Sequence, residues 1–495
     1  MNQSKPRVII TTDLECDDMN SLIHLCLHLN ELDVDGIIYT SSQFHFNGDG
    51  VHTLGEVTPN YRCQGEAAYK THIGYPHPDP EAKNLKSYRP FEEGWIESLW
   101  QNEYAKAYPN LVKNNPDFPS PERLLSITKY GNIAFEGDVR KETEGSHLIK
   151  EAILDNDKRL LYLLSWGGVN TIVRALLSIA EQYKGTNEWE EIYQLVCRKV
   201  RILGMFEGVG QDNSYKDHAE AIYPDLITLN TDFMYGVFRA PVTEQADCIE
   251  TFHSEWLKKN IKYNHGALMS KYGLFGDGTY YEGEVELFQY GKQLSLNWGF
   301  DHMPNTVFNP YDFLGEGDSR TYVFLFNVGL RGLENGNYGT LLGRVFENGK
   351  RPEKGYNFFT GEEGNPNRFL RAYQEEWAAR AEWCIKPYAE CNHPPVVSVE
   401  NKDISAVPGE VVTLAANAND PDGDSLKSYW YAYREASQYA GAANDLRVWE
   451  PMRFTTRFTV PKDAKPGDYF NLIIEVQDDA EKPMTRYGQI IITVQ

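Results

Sequence analysis

Three aspartates, Asp13, Asp17 and Asp18, follow directly on the apolar run Arg7 to Thr12 in the stretch RVIITTDLECDD. Carboxylates crowded at the end of a strand repel one another, so their placement needs an attraction of comparable size. One or two of them suit the first turn of a helix, where an aspartate caps free amides and meets the positive end of the dipole. Three suit that role poorly. Hard oxygens converging on one point are what Ca2+ takes, typically six to eight of them at about 2.3–2.6 Å. On residue chemistry alone, a bound cation and a capped helix with solvated acids both stay open.

Other stretches carry weaker chemistry. Asp212 and Asn213 in GQDNSY offer groups to a sugar hydroxyl, while an Asx-capped turn explains the same letters. The aromatic-rich insertion from about Phe44 to Lys129 offers flat apolar faces to sugar rings, and packing of a long lid onto the core accounts for it equally. Near the C-terminus, NDPDGD has the carboxylates of a calcium loop, but its letters also make a β-turn, which is the expectation.

The elements that must position these groups alternate. RVIITT reads as a strand, DDMNSLIHLCLHLNE has helical spacing from Met19 to Leu29, and VDGIIYTSS reads as a second strand. Such a βαβ unit forms a right-handed crossover in a parallel sheet. The pattern returns at KRLLYLLSWGG with VNTIVRALLSIAEQY, at KVRILGMF and at YPDLITLN. Its acidic or glycine-rich turns lie at the carboxyl ends of strands, where open α/β sheets bind ligands. A strong helix at RFLRAYQEEWAARAEWCIK is expected to close this domain. After it the chain alternates polar and apolar residues between turn signals at Pro394-Pro395, Pro408-Gly409 and Asp422-Gly423. The expectation is an α/β domain over 1–386, with an open, mostly parallel sheet, and a small immunoglobulin-like β-sandwich over 387–495.

With 495 residues, two domains are the natural prior. The net charge of −23 argues against a nucleic-acid partner, whose backbone needs a basic face, and suits a neutral ligand or a bound cation. No apolar run approaches the roughly 20 residues of a membrane helix, so no membrane partner is expected. Seven cysteines form no metal knuckle; only Cys384 and Cys391 are close enough in sequence to invite a pairing. MNQSKP runs straight into the first strand without a signal peptide. A cytoplasmic protein, or a secreted or periplasmic one with its leader removed, both fit. Homo-oligomer formation is left open.

The block TTDLECDD resembles the calcium signature D-x-D-P-G-x-D-D of the nucleoside hydrolases, with Thr11 at its first acidic position and Leu14-Glu15 in place of Pro-Gly. In the order expected of that family follow LLSWGGVNTIVRAL, GMFEGVGQDNSYKDHAEAIYPDL and YDFLGEGDSRTYVFLFNVGL. The chain is more similar still to a bacterial group of cellulose-binding proteins with a nucleoside-hydrolase-like domain. The shared motifs are TTDLECDD, SSQFH, GEGD and DPDGDSLKSYWYAYREA, and together they span nearly the whole chain. The resemblance implies Ca2+ held by Asp13, Asp18, the Asn170 carbonyl and Asp318. It implies sugar contacts from Asp17 and Gln43, and from Asp212 and Asn213. Asp13 would take a proton from the attacking water. The histidine that protonates the leaving group in one nucleoside hydrolase subgroup is replaced by Gly317. Glu316 and His45 are the substitute acids, and Trp166 is a candidate stacking partner or a cover for the sheet. The implied function is a calcium-dependent hydrolase of a furanose or other glycosidic bond, with a carbohydrate or nucleoside-like ligand. The alternative is a glycan-binding protein without turnover.

Overall fold

The computed structural model describes residues 5–42, 45–57, 94–204, 212–231, 248–278, 309–350, 357–362, 368–442 and 446–495. Val8, Ile9 and Ile10 of β1 (Arg7–Thr12) are fully buried, as β-branched residues are in a strand covered on both faces. Around β1 run β2 (Asp33–Tyr39), β3 (Thr128–Tyr130), β4 (Leu161–Ser165), β5 (Val200–Gly204) and β6 (Ile227–Asn230). With β7 (Arg344–Lys350) and β8 (Asn357–Glu362) they form one sheet in the order β3-β2-β1-β4-β5-β6-β8-β7. Every pairing from β3 through to β8 is parallel. The chain moves from β1 to β2 and β3 on one side, then returns to β4 on the other. The β1/β4 junction is therefore the point where strand order reverses, and such switch points open a crevice at the strands' carboxyl ends.

Helix α1 (Cys16–Leu25) is shorter than its spacing predicts. Beyond it Leu27 N donates to the His24 carbonyl and His28 N to that of Leu25, so the i to i+3 pattern tightens the chain into turns before Leu29. One core joins Ile9, Ile38 and Leu163 of the sheet to Ile172, Leu176 and Ile179 of helix Asn170–Tyr183 and Val196 of helix Trp189–Lys199.

The aromatic insertion does more than lie on this core. Its described part folds into helices Trp95–Ser98, Ala105–Asn114 and Pro121–Ile127, then enters the sheet as β3. Trp100 is buried and donates Nε1–H to Thr128 Oγ1 at 3.0 Å; Tyr104 donates to the Pro119 carbonyl at 2.8 Å. These rings serve packing. The stretch YRCQGEAAYKTHIGYPHPDP falls outside the described residues.

Two compact units divide the chain: residues 1–322 with 347–360, and residues 323–346 with 361–495. In the second, β10 (Asp403–Ala406), β16 (Thr485–Val494), β15 (Tyr469–Gln477) and β12 (Lys427–Ala432) form one sheet. The other holds β13 (Val448–Trp449), β14 (Thr455–Thr459), β11 (Val411–Asn419) and β9 (Val396–Val399). Leu414, Trp430, Phe458, Phe470, Ile474 and Ile490 fill the space between them, making an immunoglobulin-like β-sandwich.

Compactness does not follow the composition break at 386/387. Helix Leu370–Trp383 belongs with the sandwich, because its buried Glu376, held within the helix by Arg380 at 2.8 Å, meets Arg486 of β16 at 2.7 Å. Glu382 pairs with Lys482, and Trp383 Nε1–H donates to the Asn392 carbonyl. Cys384 and Cys391 form no disulfide with each other: both are buried thiols, and Cys391 Sγ–H donates to the Lys386 carbonyl at 3.8 Å. NDPDGD makes its turn, with Gly423 at φ 89° and Asp420 Oδ1 accepting from the amides of Asp422 and Asp424.

Candidate functional site

The site begins where β1 ends. Leu14, buried and non-glycine, holds φ 59°, and its N–H donates to Thr12 Oγ1 at 3.0 Å. A left-handed L-residue is uncommon and costs on the order of 1–3 kcal/mol. Here it kinks the chain between Asp13 and Glu15. Glu15 then occupies the N-cap of α1 without any side-chain capping bond.

Asp17 and Asp18, in the first turn of α1, meet Asp318, which immediately precedes helix Ser319–Val323. Each offers a carboxylate oxygen, all within 4.8 Å of one another. Thr12 Oγ1 donates to Asp18 Oδ1 at 2.5 Å. Burial, joined by the charges of Asp318, Asp13 and Asp17, pushes the Asp18 carboxyl well above the usual carboxylate range. Asp318 is raised in the same way, by burial and then by Asp17, with Arg320 offsetting part of the effect.

A second group lies alongside. Asp13, Glu15 and His45 also place ligand atoms within 4.8 Å of one another, and Glu15, Cys16 and Asp17 bridge the two groups. His45 Nε2 is 3.4 Å from Glu15 Oε2, both side chains being buried. After β2, Ser42 N donates to the His45 carbonyl and His45 N to Ser42 Oγ.

The turn after β4 closes the other side. A Cβ on Gly167 would lie 2.8 Å from Asp13 Cβ, and one on Gly168 would lie 2.3 Å from the Ser41 carbonyl and 2.4 Å from Asp212 Oδ2. Glycine is required at both because the backbone passes in contact with the acidic turn at Gly167 and with Ser41 and Asp212 at Gly168.

The chain thus brings Asp13, Asp17, Asp18, Asp318 and His45 together. It adds Glu15, from within TTDLECDD, whose letters alone assign it no role. Asp17 joins the carboxylates that suit a cation, and Asp13 sits with the histidine. The remaining candidates are engaged elsewhere. Glu316, buried, receives Ser319 Oγ at 2.7 Å and Tyr272 OH, and pairs with His24 Nδ1 at 2.9 Å. Trp166 is buried with Nε1–H donated to Thr321 Oγ1 at 2.7 Å, as a cover for the sheet would be.

Asn170 opens its helix, where carbonyls turn toward the amide four residues on. Its side chain accepts from Thr40 and donates to Ser41 Oγ and the Asn132 carbonyl, tying strand ends together. Asp212 accepts from Asn170 N and from Ser214 N and Oγ, and the Asn213 carbonyl accepts from Asp217 N: the capped-turn arrangement. Gln43 lies outside the described residues.

The donor set fits a hard divalent cation. Three carboxylates from two distant segments converge at the strand ends, and binding there would relieve the mutual repulsion that raises Asp18 and Asp318.

This fold and site define a nucleoside-hydrolase-like α/β protein carrying a C-terminal β-sandwich. Residues 7–345 match the family described as Cellulose-binding Sde182, nucleoside hydrolase-like domain, and residues 411–494 match Cellulose-binding protein Sde0182, C-terminal domain. The chain belongs to this cellulose-binding Sde182 family. Among solved structures it is similar to a nucleoside hydrolase-related hypothetical protein from Saccharophagus degradans that is associated with carbohydrate metabolism. The two share the fold at 22% identity and a TM-score of 0.69, over 99% of this chain and 100% of that one. A cohesin–dockerin complex from Clostridium thermocellum aligns at 15% identity over 21% of this chain and 100% of that one, with a TM-score of 0.15 that carries no argument. Among curated proteins, none matches this chain.

Proposed function

We propose that the protein is a calcium-dependent hydrolase acting on a glycosidic bond of a furanose or related sugar, with Asp17, Asp18 and Asp318 as cation ligands. The observation that carries this reading is the convergence of those three carboxylates at the switch point, beside Asp13, Glu15 and His45. When bound, a hard cation supplies polarisation of water and a grip on vicinal hydroxyls. Asp13 accepts the proton of the attacking water. His45, beside Glu15, hands a proton to the leaving atom. The surrounding carboxylates favour positive charge at the anomeric carbon.

A second reading is glycan binding without turnover. It is favoured by the engagement of Glu316 with His24, Tyr272 and Ser319, which takes that carboxylate out of acid duty, and by the family's cellulose-binding description. The test is a panel of glycosides, nucleosides and cellulose oligomers with and without chelator. Chelator-sensitive product release selects the hydrolase, and saturable retention without product selects the binder. Elemental analysis and calorimetry that find no divalent cation at millimolar calcium would defeat the calcium assignment in both.

A further inference from the structure

We propose that Asn20 and the His24–Glu316 pair are positioning residues that carry Asp318 to Asp17 and Asp18. The inference rests on the cation reading above. Helix α1 buries Met19, Leu22, Ile23 and Leu25, yet Asp17, Asn20, Ser21 and His24 interrupt it at helical spacing. Positions three, four and seven apart share one helix face, so these four form a polar stripe running away from the acidic end.

Asn20 and His24 reach two distant segments, Tyr272–Gly273 and Gly315–Tyr322, and the backbone of Ser21 reaches the second. Asn20 Nδ2 donates to the carbonyls of Gly273 and Gly315, both at 3.0 Å, and its Oδ1 accepts from Gly273 N at 2.7 Å. Tyr322 OH donates to the Ser21 carbonyl at 3.2 Å. His24 Nδ1 meets Glu316, which Tyr272 OH and Ser319 Oγ also hold. Gly315 and Glu316 lead directly to Asp318, and Asn20 follows Asp18 by half a turn of helix. The clamp is therefore built from neighbours of the acids on both segments, with Tyr272 and Gly273 as a third contributor. Carboxylate repulsion drives those segments apart, while the stripe's hydrogen bonds oppose it. This also gives Glu316 a role that its buried contacts support better than proton donation.

The test is calcium binding by calorimetry on the full chain, with thermal unfolding followed with and without calcium. Asn20→Ala changes no charge, so an affinity loss cannot be a loss of electrostatic attraction. Tyr272→Phe removes one donor to Glu316 at nearly constant volume and decides the matter if Asn20→Ala does not fold. Ile149→Val, in the core of the same unit, is the destabilised control.

Partners behind metal ligands are worth about 10–100-fold in affinity, so Asn20→Ala is expected to weaken calcium binding by that factor. Its calcium-induced rise in Tm should shrink accordingly. Tyr272→Phe is expected to follow to a lesser degree, and Ile149→Val to bind as the unaltered protein does. If the unaltered protein binds calcium and both clamp variants bind within twofold of it, the clamp is overturned while the cation reading stands. If the unaltered protein binds none, both fall together.

Discussion

At the residue scale, the two acidic groups make separable demands. Asp17 and Asp318 share one oxygen cluster with Asp18, whereas Asp13 clusters with Glu15 and His45. Asp17→Ala and Asp318→Ala are therefore expected to weaken calcium binding at least tenfold in a calorimetric titration. Asp13→Ala should keep most of the affinity while losing turnover. Equal loss in all three variants would mean a single undivided site. Gly168 supplies a second expectation. A methyl there meets the Ser41 carbonyl and Asp212 at well under contact distance, so Gly168→Ala should lower stability by about 1–3 kcal/mol in denaturant unfolding. The acids were legible in the sequence because three carboxylates after an apolar strand are hard to explain otherwise. Glu15 carries no such signal, standing with Leu14 in place of a Pro-Gly pair, and its place beside His45 follows from a left-handed kink at Leu14 that local pattern does not reveal.

At the scale of elements, β1, β2, β4, β5 and β6 and helix Asn170–Tyr183 were readable from short β-branched runs and a 3.6-residue period. β3 was not, since three residues at the end of an aromatic-rich insertion carry no periodic signal. Nor was the partner of helix Leu370–Trp383, for local pattern gives the helix and only tertiary pairing says what covers it. Burial alone would raise the Glu376 carboxyl, but Arg486 and Arg380 hold it down at about 2. A carboxylate depressed in the folded state stabilises fully above its unfolded value. That stability is lost as pH falls from about 4.5 toward about 2. Glu376→Ala leaves two guanidiniums without their partner and is expected to cost about 3–5 kcal/mol near neutral pH. It should also flatten acid unfolding of the sandwich across that interval, as followed by circular dichroism.

At the scale of the whole molecule, the family matches end at 345 and resume at 411, and the residues between include the helix that completes the sandwich. A fragment of residues 361–495 is therefore expected to unfold at a higher temperature than one of 387–495, by several degrees in calorimetry. Equal midpoints would mean that Glu376 and Glu382 contribute nothing to it.

The reach of Asn20 to Gly315, across 295 positions of sequence, bears on how the protein is made. Contacts so distant along the chain form late in folding. Asp17 and Asp18 leave the ribosome early and must wait, mutually repelling, until nearly two thirds of the polypeptide has followed. On the proposed cation reading, an ion that needs Asp318 would seat only after that segment has joined the acidic exit of β1, and would then act as a latch on maturation. Calcium supplied during refolding should leave the early collapse unchanged and slow the reverse reaction, unfolding, instead.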